Sequence, residues 1–178
     1  MGHRKKHKAE SETNVRTFPN DWLEYAFPPD ALPPSGNLVM PFSADPDRAS
    51  LAALLAGKFW PSVTWPYLRE KYTGTSDEVP IYMTSTGLRF FLPALIRMCL
   101  RFPNEVDCMP SAMLSCFSRD NAKRAEIIAN LTEDQMRMTG DFFRSHFSTD
   151  DFYRNELNNA LRALNQPEVH FKPPYQIE

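Results

Sequence analysis

The chain has 178 residues, with 20 Lys/Arg against 22 Asp/Glu for a net charge of −2, and is 42% hydrophobic and 24% charged. That is enough chain for one domain with a substantial core, and the near-neutral balance excludes the overall basic signature of a nucleic-acid-binding protein. The 16 prolines outnumber the six glycines and cluster before residue 70 and after 165, which predicts irregular, extended lead-in and lead-out segments.

Residues 1–17 have almost no apolar content and read as a disordered basic leader. Residues 1–16 hold five Lys/Arg and two Asp/Glu, so the leader is +3 and the remainder −5. Nucleic acid is set aside as a partner except through this leader, which reads first as a solvated tail. Residues 18–165 read as one all-α domain and 166–178 as an extended tail. Asn20–Phe27 suits one or two helical turns, with Asn20 as cap and Trp22, Leu23 and Phe27 as apolar anchors. Pro28–Ala44 reads as an extended loop, with Leu38, Val39, Met40 and Phe42 lying along the core rather than pairing as a strand.

Asp45-Pro46 is a helix start, cap then proline at the first position, for a helix over Pro46–Phe59 carrying Leu51, Leu54, Leu55 and Phe59. Thr64-Trp65-Pro66 starts a shorter one with Tyr67, Leu68 and Tyr72. Thr73–Val79 reads as a polar loop delivering the chain at Pro80 into the longest apolar stretch, Ile81–Arg101. There Thr84 is a good N-cap, and Leu88, Phe91, Leu92, Leu95, Met98 and Cys99 recur at helical spacing. Phe90, Ala94 and Ile96 widen that face. Pro93 removes a backbone donor and predicts a kink. The stretch is too short and too charged for a membrane span of about 20 apolar residues, so no membrane insertion is expected.

Met109–Phe117 reads as a short helix with Met113, Leu114 and Phe117 inward, and Ser118–Ala129 as one or two turns. Thr132-Glu-Asp-Gln135 is a capping box opening a helix whose buried side is Met136, Phe142, Phe143 and Phe147, with Met138 a further candidate for that side and Leu131 as staple. Ser148–Asp151 caps a last helix with the stripe Tyr153, Leu157, Ala160, Leu161 and Leu164, ended by Asn165 and Pro167. Phe171 and Tyr175 are candidate anchors of the tail. The expected architecture is a compact, irregular helical bundle around a proline-kinked central helix with an extended N-terminal lead-in.

Chemistry-bearing patterns are sparse. Cys99, Cys108 and Cys116 are odd in number and lack zinc spacing, and the four histidines are scattered, so no metal, cofactor or catalytic set is expected. With a polar N-terminus, reduced thiols in a cytoplasm are the simplest reading. His146 falls near a helix C-terminus, where a protonated imidazole is favoured, and reads as a cap. Arg97 and Arg101 read as a solvated face with ion pairs worth about 0–1 kcal/mol. Arg89 lies beside the carbonyl that Pro93 leaves without a donor and can bond that backbone. Trp60, Trp65 and Tyr67 alternate with prolines, and such rigid aromatics are enriched at binding hot spots. The candidate partner-binding set is therefore Trp60, Trp65, Tyr67, Arg89, Arg97 and Arg101.

Four stretches carry a family resemblance: Ala26-Phe27-Pro28, the Gly-x-x-Trp helix end at Leu55–Trp60, MTSTGLRFFLPAL at Met83–Leu95, and Leu131–Phe143. Over roughly Trp22–Leu164 the chain resembles a group of small bacterial proteins with a domain of unknown function, whose core reads Leu-Thr-Pro-Glu-Gly/Ala-Phe-Arg-Tyr-Tyr-Leu-Pro-Ala-Tyr. Here Ser85 replaces the proline, Thr86 the acid and Phe90-Phe91 the tyrosine pair. The resemblance implies no known activity. It suggests cytoplasmic bacterial proteins, some of them neutralising partners of toxins.

Two functional readings follow. The first is a non-catalytic protein-binding module that presents a shaped, mildly acidic surface to another protein, as an immunity or accessory protein would. The alternative is a small-ligand binder or enzyme with a pocket near Arg89 and Pro93, drawing on Tyr82 and Glu70.

Overall fold

Short polar side chains start the helices by accepting from backbone N–H groups that have no partner within the helix. The computed structural model describes residues 22–31, 34, 36–41 and 45–170. Its α-helices are α1 (Trp22–Ala26), α2 (Pro46–Leu55), α3 (Trp65–Lys71), α4 (Glu78–Tyr82), α5 (Ser85–Arg101), α6 (Met109–Ser118), α7 (Ala122–Ala129), α8 (Glu133–Phe147) and α9 (Arg154–Ala163). Asp45, Thr64, Thr84 and Asn121 cap α2, α3, α5 and α7 through their side-chain oxygens. Thr132 and Gln135 form both halves of the capping box of α8, at 3.3 and 3.1 Å. The basic leader, the Asn20 cap, Phe42 and the tail anchors Phe171 and Tyr175 lie outside the described residues.

Three boundaries differ from expectation, each for a local reason. Helix α2 stops at Leu55 rather than Phe59, because Gly57 turns into the left-handed region at φ +65, a conformation that closes helices. Phe59 is consequently 41% exposed, and a single 3-10 turn follows at Trp60–Ser62. The expected loop before Pro80 instead forms α4, in which Pro80 occupies the first turn, where its missing N–H is tolerated. Residues 36–40 form no strand and lie along the core as expected, joined among the described residues by one antiparallel bridge, Val39 with Met83. Met40 N donates to Tyr82 O at 2.8 Å and Thr84 N to Leu38 O at 3.0 Å. The last helix begins one turn late: Asp150 caps a 3-10 turn at Asp151–Tyr153, and α9 follows it.

Helix α5 is the most deeply sunk element, with 11 of its 17 residues buried, and it continues through Pro93. The closest helix pairing is nevertheless α6 with α9, and α6 also meets α4, α5, α7 and α8. Ala112, Ser115, Cys116 and Ser118 on α6 are small enough to let neighbouring backbones approach, while Met113, Leu114 and Phe117 fill the core. On α8 it is Met138, 2% exposed, that joins Phe142 and Phe143 inside, and Met136 is only half-buried. Leu157, Ala160, Leu161 and Leu164 line the inner side of α9 as its stripe predicts, and Tyr153 packs at the edge.

Candidate functional site

The turn Trp60–Ser62 follows a helix that ended early, and it delivers Trp60 into the core. Trp60 is 2% exposed, and its Nε1 donates to the Pro28 carbonyl at 3.1 Å, holding the lead-in loop. Arg97 lies with its guanidinium 5.0 Å from the Trp60 ring centroid. Its Nη2 donates to the Pro61 and Val63 carbonyls at 2.7 and 3.5 Å. The expected solvated role for Arg97 is therefore corrected. It is half-buried and ties α5 to the turn, and burial, reinforced by the Arg101 charge, lowers its pKa. A guanidinium keeps its charge in such a setting because its intrinsic pKa is so high. Arg101 is exposed in the last turn of α5.

Trp65 and Tyr67, both half-buried, lie on α3 where its Thr64 cap and Pro66 place them. Trp65 Nε1 donates to Glu105 at 3.1 Å, and Arg69 pairs with the same carboxylate oxygen at 2.7 Å. The Tyr67 hydroxyl donates to the Leu54 carbonyl at 3.0 Å, fixing the ring. Two ammonium groups then sit over that ring, Lys58 Nζ at 5.4 Å and Lys71 Nζ at 5.1 Å from the centroid. Both distances are within cation–π range. Among the described residues neither lysine has a carboxylate at salt-bridge distance. Neither lysine was singled out from the sequence. Their convergence depends on the 3-10 turn folding α2 and α3 back on one another.

Arg89 does not bond the carbonyl beside Pro93. Its Nη1 reaches the Asn130 carbonyl at 3.2 Å, at the end of α7. It lines a cavity of about 200 Å3 with Phe27, Pro28, Ala31, Pro34, Trp60, Phe90 and Gln135. Tyr82 and Glu70, expected beside it, do not line that cavity. The Tyr82 hydroxyl donates to Glu78 at 3.1 Å and its ring lies under Arg48, while Glu70 is exposed on α3. Of the six candidate residues, Trp60 is thus shared between the Arg97 contact and the Arg89 cavity, while Trp65 and Tyr67, two residues apart on α3, leave the helix on opposite sides, Trp65 toward Glu105 and Tyr67 toward Leu54.

Several polar groups gathered by the fold carry structural work. Glu78 accepts from Thr75 N at 2.7 Å and from the Tyr72 and Tyr82 hydroxyls at 3.4 and 3.1 Å, pinning the α3–α4 connection. Burial, then the Glu78 charge, pushes the Tyr72 phenol upward, so it stays neutral. Lys123 caps the end of α4 by donating to Pro80 and Ile81 carbonyls at 3.2 and 3.1 Å. A second cavity of about 350 Å3 lies between α6, α7 and α9. Its two arginines are already neutralised, Arg124 by Asp120 and Arg162 by Glu168. All three thiols are pushed up, Cys99 and Cys116 by burial and Cys108 by the Asp107 carboxylate, the reverse of what an activated thiolate needs. Among the described residues no cluster of three His, Cys, Asp or Glu is placed to hold a metal, and no helix is long and apolar enough to cross a membrane.

His146 departs from the expected protonated cap. Its Nδ1 lies 3.2 Å from the Phe142 carbonyl, and its ring packs 4.4 Å from the Phe142 ring. Burial lowers its pKa, only partly opposed by that carbonyl. The unfolded imidazole therefore takes up a proton more readily than the folded one. Stability from this group is complete above the unfolded value of about 6.5 and falls as pH drops through it, by less than about 1.4 kcal/mol per pH unit. His146→Gln should flatten the decline in urea midpoint between about pH 7.5 and 5.5. Parallel pH curves for the two proteins would refute the assignment.

No family model matches this sequence, and no curated protein or solved structure shows a detectable similarity to it.

Proposed function

We propose that the chain is a non-catalytic binding module that docks an acidic segment of another protein on the Tyr67–Lys71 side of α3, where Lys58 joins it. The observation that carries this reading is the pair of ammonium groups over one tyrosine ring without a carboxylate partner among the described residues. An incoming carboxylate would pair with cations that have no such partner among the described residues, while the rigid ring supplies contact area. The face is basic on a body whose net charge beyond residue 16 is −5, so the complement it selects is local and acidic. A cytoplasmic immunity or accessory role, as the family resemblance suggests, is of this kind.

The test is purification at native expression level, identification of any stoichiometric partner by mass spectrometry, and titration of that purified partner. Lys58→Glu with Lys71→Glu is expected to weaken binding by about tenfold or more without moving the thermal midpoint. The wild-type affinity should fall between low and physiological salt. Absence of a stoichiometric partner, or an affinity indifferent to both the double reversal and salt, would remove the reading.

A further inference from the structure

We propose that the cavity beside Arg89 binds a small free monocarboxylic acid with a compact apolar body. The site is separate from the α3 face, and neither depends on the other.

Among the described residues, the Arg89 positive charge at the cavity has no matching negative one. Among the described residues the Arg89 guanidinium donates to Asn130 O alone, leaving most of its five N–H donors available. No carboxylate among the described residues pairs with it. The other polar side chains of the lining each have a partner. Trp60 Nε1 serves Pro28 O, Gln135 Nε2 donates to Ala26 O at 2.9 Å, and Gln135 Oε1 accepts from Thr132 N. What remains is apolar: Phe27 at 5% exposed and Trp60 at 2% are the deeply buried members, with Phe90, Ala31 and Pro34 around them.

That chemistry selects its ligand class. A guanidinium fork matches a carboxylate in a bidentate pair, and aromatic and proline walls match a ring or branched chain. A dianionic phosphate would lose its hydration against apolar walls with one cation to compensate, and an amine would meet like charge. The volume, about 200 Å3, lies below the roughly 300–1,000 Å3 of drug-sized sites, which restricts the occupant to about one ring.

The experiment titrates the full chain with 4-fluorophenylacetate, followed by fluorine NMR, beside the neutral 4-fluorophenylacetamide and the peptide Gly-Gly-Phe. Saturable binding of the acid below about 5 mM is expected, with the amide at least tenfold weaker. Arg89→Gln should lower the acid's affinity by about tenfold or more while circular dichroism stays unchanged. Ala31→Phe, at an exposed position on the rim, should block the acid by filling the cavity. Equal binding of acid and amide, retention of affinity in either variant, or no saturation would overturn the proposal. Tighter binding of the peptide than of the acid would overturn the free-acid assignment. Loss of this binding leaves the acidic-partner titration on α3 untouched, so the two readings fail separately.

Discussion

Replacing Gly87 by alanine is expected to destabilise the protein by about 2–3 kcal/mol, the scale of overpacking a filled site. Gly87 lies in the first turn of α5, where alanine would ordinarily gain about 1 kcal/mol in helix propensity. Here a Cβ would stand 2.0 Å from the Leu38 carbonyl oxygen and 2.8 Å from its carbon. Those are backbone atoms, and they cannot swing aside. The same Leu38 oxygen accepts from Thr84 N, and Thr84 Oγ1 donates to Asn37 O at 2.8 Å. Relieving the clash therefore means lifting residues 37–40 from the start of α5 and breaking the Val39–Met83 bridge. Thr86→Ala, one position earlier and half-buried, has no such obstacle and should change stability little. Urea unfolding of the two variants checks this directly. A Gly87→Ala protein as stable as the parent would mean that the lead-in segment does not rest on this turn.

Trp60→Ala is expected to cost about 3–5 kcal/mol, the range for deleting a buried aromatic side chain. Trp60→Phe should cost less, about 1–2 kcal/mol, since it keeps much of the ring but loses the indole donation to the Pro28 carbonyl, which then keeps only the Ala31 N–H. The size of the first effect follows from three roles meeting in one side chain: it is 2% exposed, holds the lead-in loop through Pro28, and supports the Arg97 guanidinium. Since Arg97 is also anchored on Pro61 and Val63 carbonyls, truncating Trp60 should couple to Arg97→Gln in a double-mutant cycle by about 0.5 kcal/mol or more. Strict additivity of the two, or a Trp60→Ala loss below that of Trp60→Phe, would show that the tryptophan is not the keystone of this corner.

These two residues mark where sequence reading and structure diverge. Trp60 was grouped with Trp65 and Tyr67 because all three sit among prolines within eight residues. Spacing does not report depth: the 3-10 turn at Trp60–Ser62 buries the first and leaves the other two half-buried on α3. Arg97 read as surface because a charged residue on a helix usually is. Its carbonyl partners are 34 and 36 residues away in sequence, so no local pattern could announce them. The same holds for Arg89 and Asn130, 41 residues apart, and for the lysines that meet over Tyr67.

What the sequence determined by itself is whatever acts within one or two helical turns. Asp45, Thr64, Thr84 and the Thr132–Gln135 box start their helices where expected, because a cap bonds an amide two or three residues on. The apolar faces of α5, α6 and α9 turned inward because the 3.6-residue period is built into the chain. Tertiary structure alone decided the rest: that α6, short and rich in small residues, is the element most helices share, that a carbonyl of the lead-in rests on Gly87, and that Arg89 lines a cavity with Phe27, Trp60 and Phe90. These depend on which distant surfaces come into van der Waals contact. Side-chain volume and the geometry of the turns govern that contact, and neither leaves a periodic mark on the residues that meet.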